Sequence, residues 1–242
     1  MKAILFDFDG TLVDTQHLYN AAISQTLTKF NPMYTIDFCS QLFNGKCWND
    51  AFDDLSVREN FHKETVFNEG LALAHSLISA NAKATRGTFE TLRILKKYGV
   101  KYAICSNSHT KEIFSTLKTT GLAEFFTKDN IFGREMVSKG KPSSEIYLLG
   151  LKQMDFALHS CIAVEDTING ANASINAGIQ TVIFAGSTGF KEIETLSNAP
   201  ITKSTYNTLG ESPQVSSVKN MLEIIKMLGI DRESISDTRM IG

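Results

Sequence analysis

Four short stretches of the 242-residue sequence carry side chains able to act on an anion. In Asp7-Phe8-Asp9-Gly10-Thr11, two carboxylates stand two residues apart, and in an extended chain both project to one side. Asp7 interrupts an apolar run at a position that should be buried. A buried acid pair repels itself and requires a cation or a shared proton. That chemistry suits Asp7 as a nucleophile and Asp9 as a general acid and base. The plainer alternative is an Asp-Gly turn with solvated acids. In Cys105-Ser106-Asn107-Ser108, Ser106 with Asn107 beside it is a candidate to bind phosphoryl oxygens, assisted by amides opening the following helix. Otherwise the cluster only caps that helix, with Ser108 as the cap. In Lys139-Gly140-Lys141-Pro142 the proline fixes the turn, which favours Lys141 over Lys139 as the inward lysine. A cation ahead of a helix opposes the helix dipole unless it meets an anion or an acid such as Asp7. A solvated turn lysine is the alternative. Glu165-Asp166 follows the apolar CIAV and offers a hard oxygen site of the kind magnesium takes. The competing role is Asp166 as a helix cap, which Thr167 could fill instead.

Each stretch sits where a strand should end. Residues 2–8, 100–106, 131–132, 161–166 and 180–186 are short apolar runs that read as strands. Helical patterns separate them: TFETLRILKKYG ending at Gly99, HTKEIFSTLKTTG ending near Gly121, SSEIYLLGLKQM with Pro142 near its first turn, and TINGANASINAG closing at Gly178. Strands alternating with helices predict an α/β fold, a Rossmann-like parallel sheet with helices on both faces. Its ligand crevice lies at the carboxyl ends of the strands, where all four stretches fall. The alternation is interrupted after the first strand. Residues 16–82 contain helical spacing and no strand-like run, with Ser56 and Glu59 read as a capping box before the pattern Phe61, Val66, Leu73. This predicts an inserted all-helical cap domain at 16–82, a core of 1–15 and 83–229, and a polar tail at 230–242. The NGKCWND loop breaks the cap: Lys46 could meet a second anionic group and Trp48 could stack on a sugar face, or Trp48 could fill the cap core.

Composition narrows the classes. Hydrophobic residues make up 43 % and charged residues 21 %, which excludes intrinsic disorder. A net charge of −2 supplies no basic field for nucleic acid, so an anionic small molecule must be met by local cations. No stretch reaches the roughly 18 apolar residues of a membrane span. The opening MKAILFDFDG is interrupted by acids and does not read as an export signal. Cys39, Cys47, Cys105 and Cys161 lack metal-site spacing and read as reduced thiols of a cytoplasmic protein. The expected partner is a small phosphorylated metabolite, with no nucleic acid or membrane, and the expected state a monomer or weak homodimer.

The order acid pair, hydroxyl, lysine, acid pair resembles the haloacid dehalogenase (HAD) superfamily of phosphohydrolases. The resemblance rests on DFDGTLVDT, a later GKP, and VEDTINGANASINAG, and covers residues 2–14 and about 87–186. The helical insert resembles the cap of the branch with phosphoglycolate phosphatase, sugar phosphatases and beta-phosphoglucomutase. The resemblance implies that Asp7 forms an aspartyl phosphate and that Asp9 protonates the leaving oxygen and then activates water. It implies phosphate binding by Ser106 and Lys141. It also implies a magnesium ion held by Asp166 and Glu165, beside the Asp7 carboxylate and the Asp9 backbone carbonyl. Dehalogenases of the superfamily use neither a second acid nor a metal, so Asp9 and Glu165-Asp166 argue against that reaction. Thr11 is similar to phosphatases, where phosphomutases of the branch often carry Val. Tyr19 stands where the motif commonly places His.

The expected function is therefore a magnesium-dependent phosphatase of a small phosphomonoester, a sugar phosphate or phosphoglycolate-like compound. A sugar phosphomutase is the alternative within the class. A non-catalytic phosphorylation-responsive binding module is the alternative outside it, since receiver domains combine similar residues, though without a large cap.

Overall fold

The apolar run AILF forms strand β1 (Ala3–Phe6), buried along its whole length. In the computed structural model, which describes residues 3–43, 48–186 and 215–230, β1 lies inside a six-stranded parallel sheet. The other strands are β4 (Lys101–Cys105), β5 (Ile131–Phe132), β6 (Cys161–Glu165), β7 (Gln180–Phe184) and β8 (Val215–Val218), in the order β5-β4-β1-β6-β7-β8. Two short strands, β2 (Val13–Asp14) and β3 (Lys83–Ala84), form a separate two-stranded sheet.

Period-two alternation divides the central strands between two cores. Ile4, Phe6, Tyr102, Ile104, Ile162 and Val164 point to one face, where they pack with α5 (Thr88–Lys97), α6 (Thr110–Thr119) and α9 (Glu223–Met227). Ala3, Leu5, Ala103, Cys105, Cys161 and Ala163 point to the other, against α7 (Glu145–Gln153) and α8 (Ile168–Asn176). The expected α/β architecture with a Rossmann-like parallel sheet is what the chain forms. The same parity directs Asp7 and Glu165, each two residues beyond a residue of the second core, toward the α7 side. The register of Phe6 with Val164, and the bond from Asp7 N–H to Val164 O at 2.8 Å, bring the two acids side by side.

The chain divides into two compact units: one of residues 1–14 and 84–242, the other of residues 15–83. The second contains α1 (Gln16–Leu27), α2 (Ile36–Phe43), α3 (Trp48–Arg58) and α4 (Lys63–Asn81) around its own core of Ile23, Leu27, Tyr34, Cys39, Phe43, Phe52, Leu55 and Val66. α4 packs on α1 beside Gly70, where a Cβ would meet Thr26 Oγ1 at an ordinary 3.5 Å. The Ser56/Glu59 capping box does not form. Ser56 lies in the last turn of α3 and donates to Asp53 O at 2.8 Å, while Glu59 accepts from the Tyr34 hydroxyl at 2.5 Å. His62 precedes α4 instead. Glu59 is drawn to partners distant in sequence, and local capping loses to them.

Ile230 packs on the first core of the sheet rather than opening a tail, and residues 231–242 lie outside the described residues. Cys39, Cys105 and Cys161 are free and buried. Cys47 lies outside the described residues. Among the described residues no helix is long and apolar enough to cross a membrane.

Candidate active site

The site begins with the turn after β1. Leu12 and Val13 N–H both donate to Phe8 O, at 3.0 and 3.1 Å, and Gly10 N–H donates to Val13 O at 2.8 Å. Gly10 has φ +82°, and a methyl group there would overlap the Asp166 carboxylate, with Cγ only 2.8 Å away. Only glycine both tolerates this backbone and admits the acid from β6.

Lys141 joins the acids. Its side chain is 4 % exposed, and Nζ donates to Asp7 Oδ1 and to Glu165 Oε1, each at 2.5 Å. Burial works against this ammonium, but the charges of Asp7 and Glu165 and their hydrogen bonds outweigh it and raise its pKa. Asp7, Glu165 and Asp166 are all buried, and each offers an oxygen within 4.8 Å of the others. Burial, then the charge of Asp7, lift the Glu165 carboxyl to about 7 against the pull of Lys141. Asp166 is pushed well above the ordinary carboxylate range for the same reasons.

Three carboxyls against one ammonium leave an excess of negative charge that protons or a cation must balance. Glu165 Oε2 is buried and finds no hydrogen-bond partner among the described residues. All these donors are oxygens, and a small hard divalent cation is what such a set accepts. The Asp9 carboxylate belongs elsewhere. It is half-buried and accepts from the Ser108 hydroxyl at 2.5 Å, so its side chain is not one of the three clustered acids. The expectation that Asp9 joins a metal site is left with its backbone carbonyl alone.

The lysine loop is clamped from two sides. Asn107 Oδ1 accepts from Lys141 N–H at 2.8 Å, and Asn107 Nδ2 donates to Lys141 O at 3.3 Å. The side chain read as phosphate-binding is therefore committed to holding Lys141, because an amide matches both groups of one peptide unit. Glu145 Oε2 accepts from Ser138 N–H at 3.0 Å, Ser138 Oγ at 2.7 Å and Lys139 N–H at 3.1 Å. Arg134 donates to Val137 O at 2.9 Å and Ser138 O at 3.3 Å. Pro142 follows a cis peptide bond, three residues ahead of α7, whose cap position is Ser144. It belongs to the loop and not to the first helical turn. Lys139 is exposed, so Lys141 is the inward lysine, as the turn predicts.

Ser106 is buried, donates its N–H to Phe132 O at 3.0 Å, and accepts from Ser108 N–H at 3.0 Å. His109, not Ser108, caps α6 in a capping box with Glu112. Thr167, not Asp166, caps α8, accepting from Gly170 N–H at 3.1 Å. Each acid or hydroxyl for which capping was the competing role is thus freed by a neighbour that does the capping. Lys46 lies outside the described residues, as does the side chain of Trp48, whose backbone opens α3. His17 is exposed on α1.

Sequence reasoning missed three contributors: Ser108 on Asp9, Glu145 on the lysine loop, and Tyr147. Tyr147 is fully buried and donates its hydroxyl to Glu165 Oε1. In sequence it reads as an apolar-face residue of α7. The only signal for it was the β6 parity that turns Glu165 toward that helix.

Residues 4–184 match the sequence profile of the haloacid dehalogenase-like hydrolases. The chain is similar to a phosphorylated carbohydrates phosphatase of Thermotoga maritima, 27 % identical over 194 residues that span 75 % of this chain and 84 % of that protein. In fold it is similar to a hydrolase of the same family from Deinococcus radiodurans R1 with bound phosphate and sodium. That likeness has TM-score 0.72 and 22 % identity over 97 % of this chain and 96 % of that one. It is also similar in fold to CbbY from Rhodobacter sphaeroides in complex with phosphate, with TM-score 0.64 and 20 % identity over 93 % of this chain and 96 % of that one.

Proposed function

Because the chain belongs to the haloacid dehalogenase-like hydrolases, we propose that it is a magnesium-dependent phosphatase acting on a small phosphomonoester, a sugar phosphate or a phosphoglycolate-like compound. One observation carries the reading. A buried ammonium, Lys141, bridges Asp7 and Glu165, and beside it three clustered carboxyls include an oxygen with no donor among the described residues.

In this reading Asp7, Glu165 and Asp166 hold the magnesium ion, together with the Asp9 backbone carbonyl. When bound, the ion offsets the charge of the acids and of the phosphate dianion, so that a carboxylate can approach it. The Asp7 carboxylate, oriented by Lys141, attacks phosphorus, and the bond to the leaving oxygen breaks. Asp9, kept in place by Ser108, gives that oxygen its proton. Asp9 then takes a proton from water, whose oxygen attacks the phosphoryl group on Asp7 and returns the carboxylate. Ser106 and Lys141 bind the equatorial oxygens of the transferred group. Little covalent chemistry beyond this is required, because phosphoryl transfer is governed by placement and electrostatics. The relative named for phosphorylated carbohydrates supports the sugar phosphate class.

The test is phosphate release from a panel of phosphomonoesters, with and without magnesium, for the wild type and Asp7→Asn. Magnesium-dependent release, lost by at least a thousandfold in Asp7→Asn, is the expected result. Comparable release by a verified Asp7→Asn protein refutes the nucleophile. Turnover only with a sugar bisphosphate activator transfers the assignment to a phosphomutase.

A further inference from the structure

Two donors converge on one oxygen of Glu165. Lys141 Nζ reaches Oε1 at 2.5 Å, and the Tyr147 hydroxyl donates to the same atom. Lys141 divides its protons, giving another to Asp7 Oδ1. Tyr147 commits its single proton to Glu165. The ring does further work, since the ammonium lies 5.1 Å from its centroid.

The other oxygen, Oε2, is equally buried and meets no donor among the described residues. It is not free to turn away. Cδ and both oxygens press against Gly170, where even a methyl group would overlap them. Glu165 is therefore a carboxylate with two unlike oxygens, Oε1 held by two donors and Oε2 buried with no donor among the described residues.

We infer that Tyr147 is a positioning residue that restricts Glu165 to one-oxygen coordination and so selects magnesium over calcium. The inference rests on the metal-dependent reading above. Magnesium takes six ligands at short range and accepts single carboxylate oxygens. Calcium gathers six to eight, commonly by taking both oxygens of a carboxylate. A second metal contact through Oε1 must displace both donors, and without the Tyr147 hydroxyl only Lys141, shared with Asp7, opposes it. Partners of this kind, one bond removed from the metal, are typically worth 10- to 100-fold in metal affinity.

The experiment measures magnesium and calcium dissociation constants by calorimetry on the full chain. Four proteins are compared: wild type, Tyr147→Phe, Glu165→Gln and the double variant. Phenylalanine keeps the ring, its packing and its contact with Lys141, and removes only the hydroxyl. The expected result is magnesium binding at least tenfold weaker in Tyr147→Phe and calcium binding less affected, so that the preference shifts toward calcium. In the Glu165→Gln background the same substitution should change nothing further. Equal weakening of both ions indicates general loosening and overturns the inference, as does unchanged magnesium affinity. A full Tyr147→Phe effect without Glu165 overturns it too. If those results come with wild-type magnesium binding intact, the phosphatase reading stands. If the wild type binds neither ion, reading and inference fail together.

Discussion

Adding one methyl group at Gly170 sets two effects of opposite sign against each other. Gly170 lies in the first turn of α8, where alanine is the better helix former by at most about 1 kcal/mol. Its N–H bond to Thr167 is unaffected by a side chain, so the cap survives. The Cβ, however, would lie 2.5 Å from Glu165 Oε1 and closer still to Cδ and Oε2. A glutamate end normally swings aside at little cost, but this one is fully buried and tied to Lys141 and Tyr147. Moving it weakens at least one hydrogen bond to a charged group, about 1.5–3 kcal/mol. Forcing the methyl into the packed site costs about 1–3 kcal/mol by itself. The clash wins, and Gly170→Ala should lose about 1.5–6 kcal/mol net after the helix gain. For a chain of this size that lowers Tm by roughly 3–24 °C. The assay is thermal and urea unfolding in EDTA, where no divalent ion contributes, so the outcome does not depend on what the site binds. Gly170→Ala melting at or above the wild type would show that helix propensity prevails, and that Glu165 is not held as described.

Two further perturbations probe the same side chains. In EDTA, folded Glu165 retains its proton up to about 7, while the unfolded chain releases it near 4.5. Folding therefore takes up a proton between these values, and stability should fall as pH rises through that window, by about 3 kcal/mol for this group. Urea midpoints at pH 5 and pH 8 should show the decline in the wild type and a smaller one in Glu165→Gln, with Asp166, also raised by burial, supplying the rest; an identical decline in both excludes Glu165 as a source. Ser108→Ala removes the donor on Asp9, and kcat should fall about tenfold with KM unchanged, because a displaced acid is costly in the transition state. A change confined to KM would assign Ser108 to substrate binding instead.

The sheet was legible because each central strand is an apolar run that stops at a polar residue, and burial on both faces leaves no other reading of AILF or CIAV. The inward choice of Lys141 was legible for a local reason, the turn imposed by Pro142. Contacts between residues close in space and far apart in sequence were not. Glu59 answers Tyr34 and Asn31 rather than Ser56. Asn107 answers a peptide 34 residues away. Tyr147 answers Glu165 across the gap between α7 and β6. In each case a polar side chain had a plausible partner nearby, and a distant one was better placed. Tyrosine hides this best, since its ring satisfies the helix pattern while its hydroxyl serves another element.

The central place of β1 opposes the order of synthesis to the order of assembly. Ala3 pairs in register with Lys101 on one side and Cys161 on the other. Of the described strands β1 is synthesised before the rest, and it waits for its second neighbour until some 160 residues have followed it; such distant pairings form slowly. The helices of residues 15–83 need no such delay, because their core is built from their own segment. An unpaired AILF strand is meanwhile an invitation to aggregation. Asp7 and Asp9 follow it immediately, and charges flanking an apolar strand are what discourages its association with other chains. The pair assigned to catalysis thus stands where a gatekeeper of that strand would also be placed.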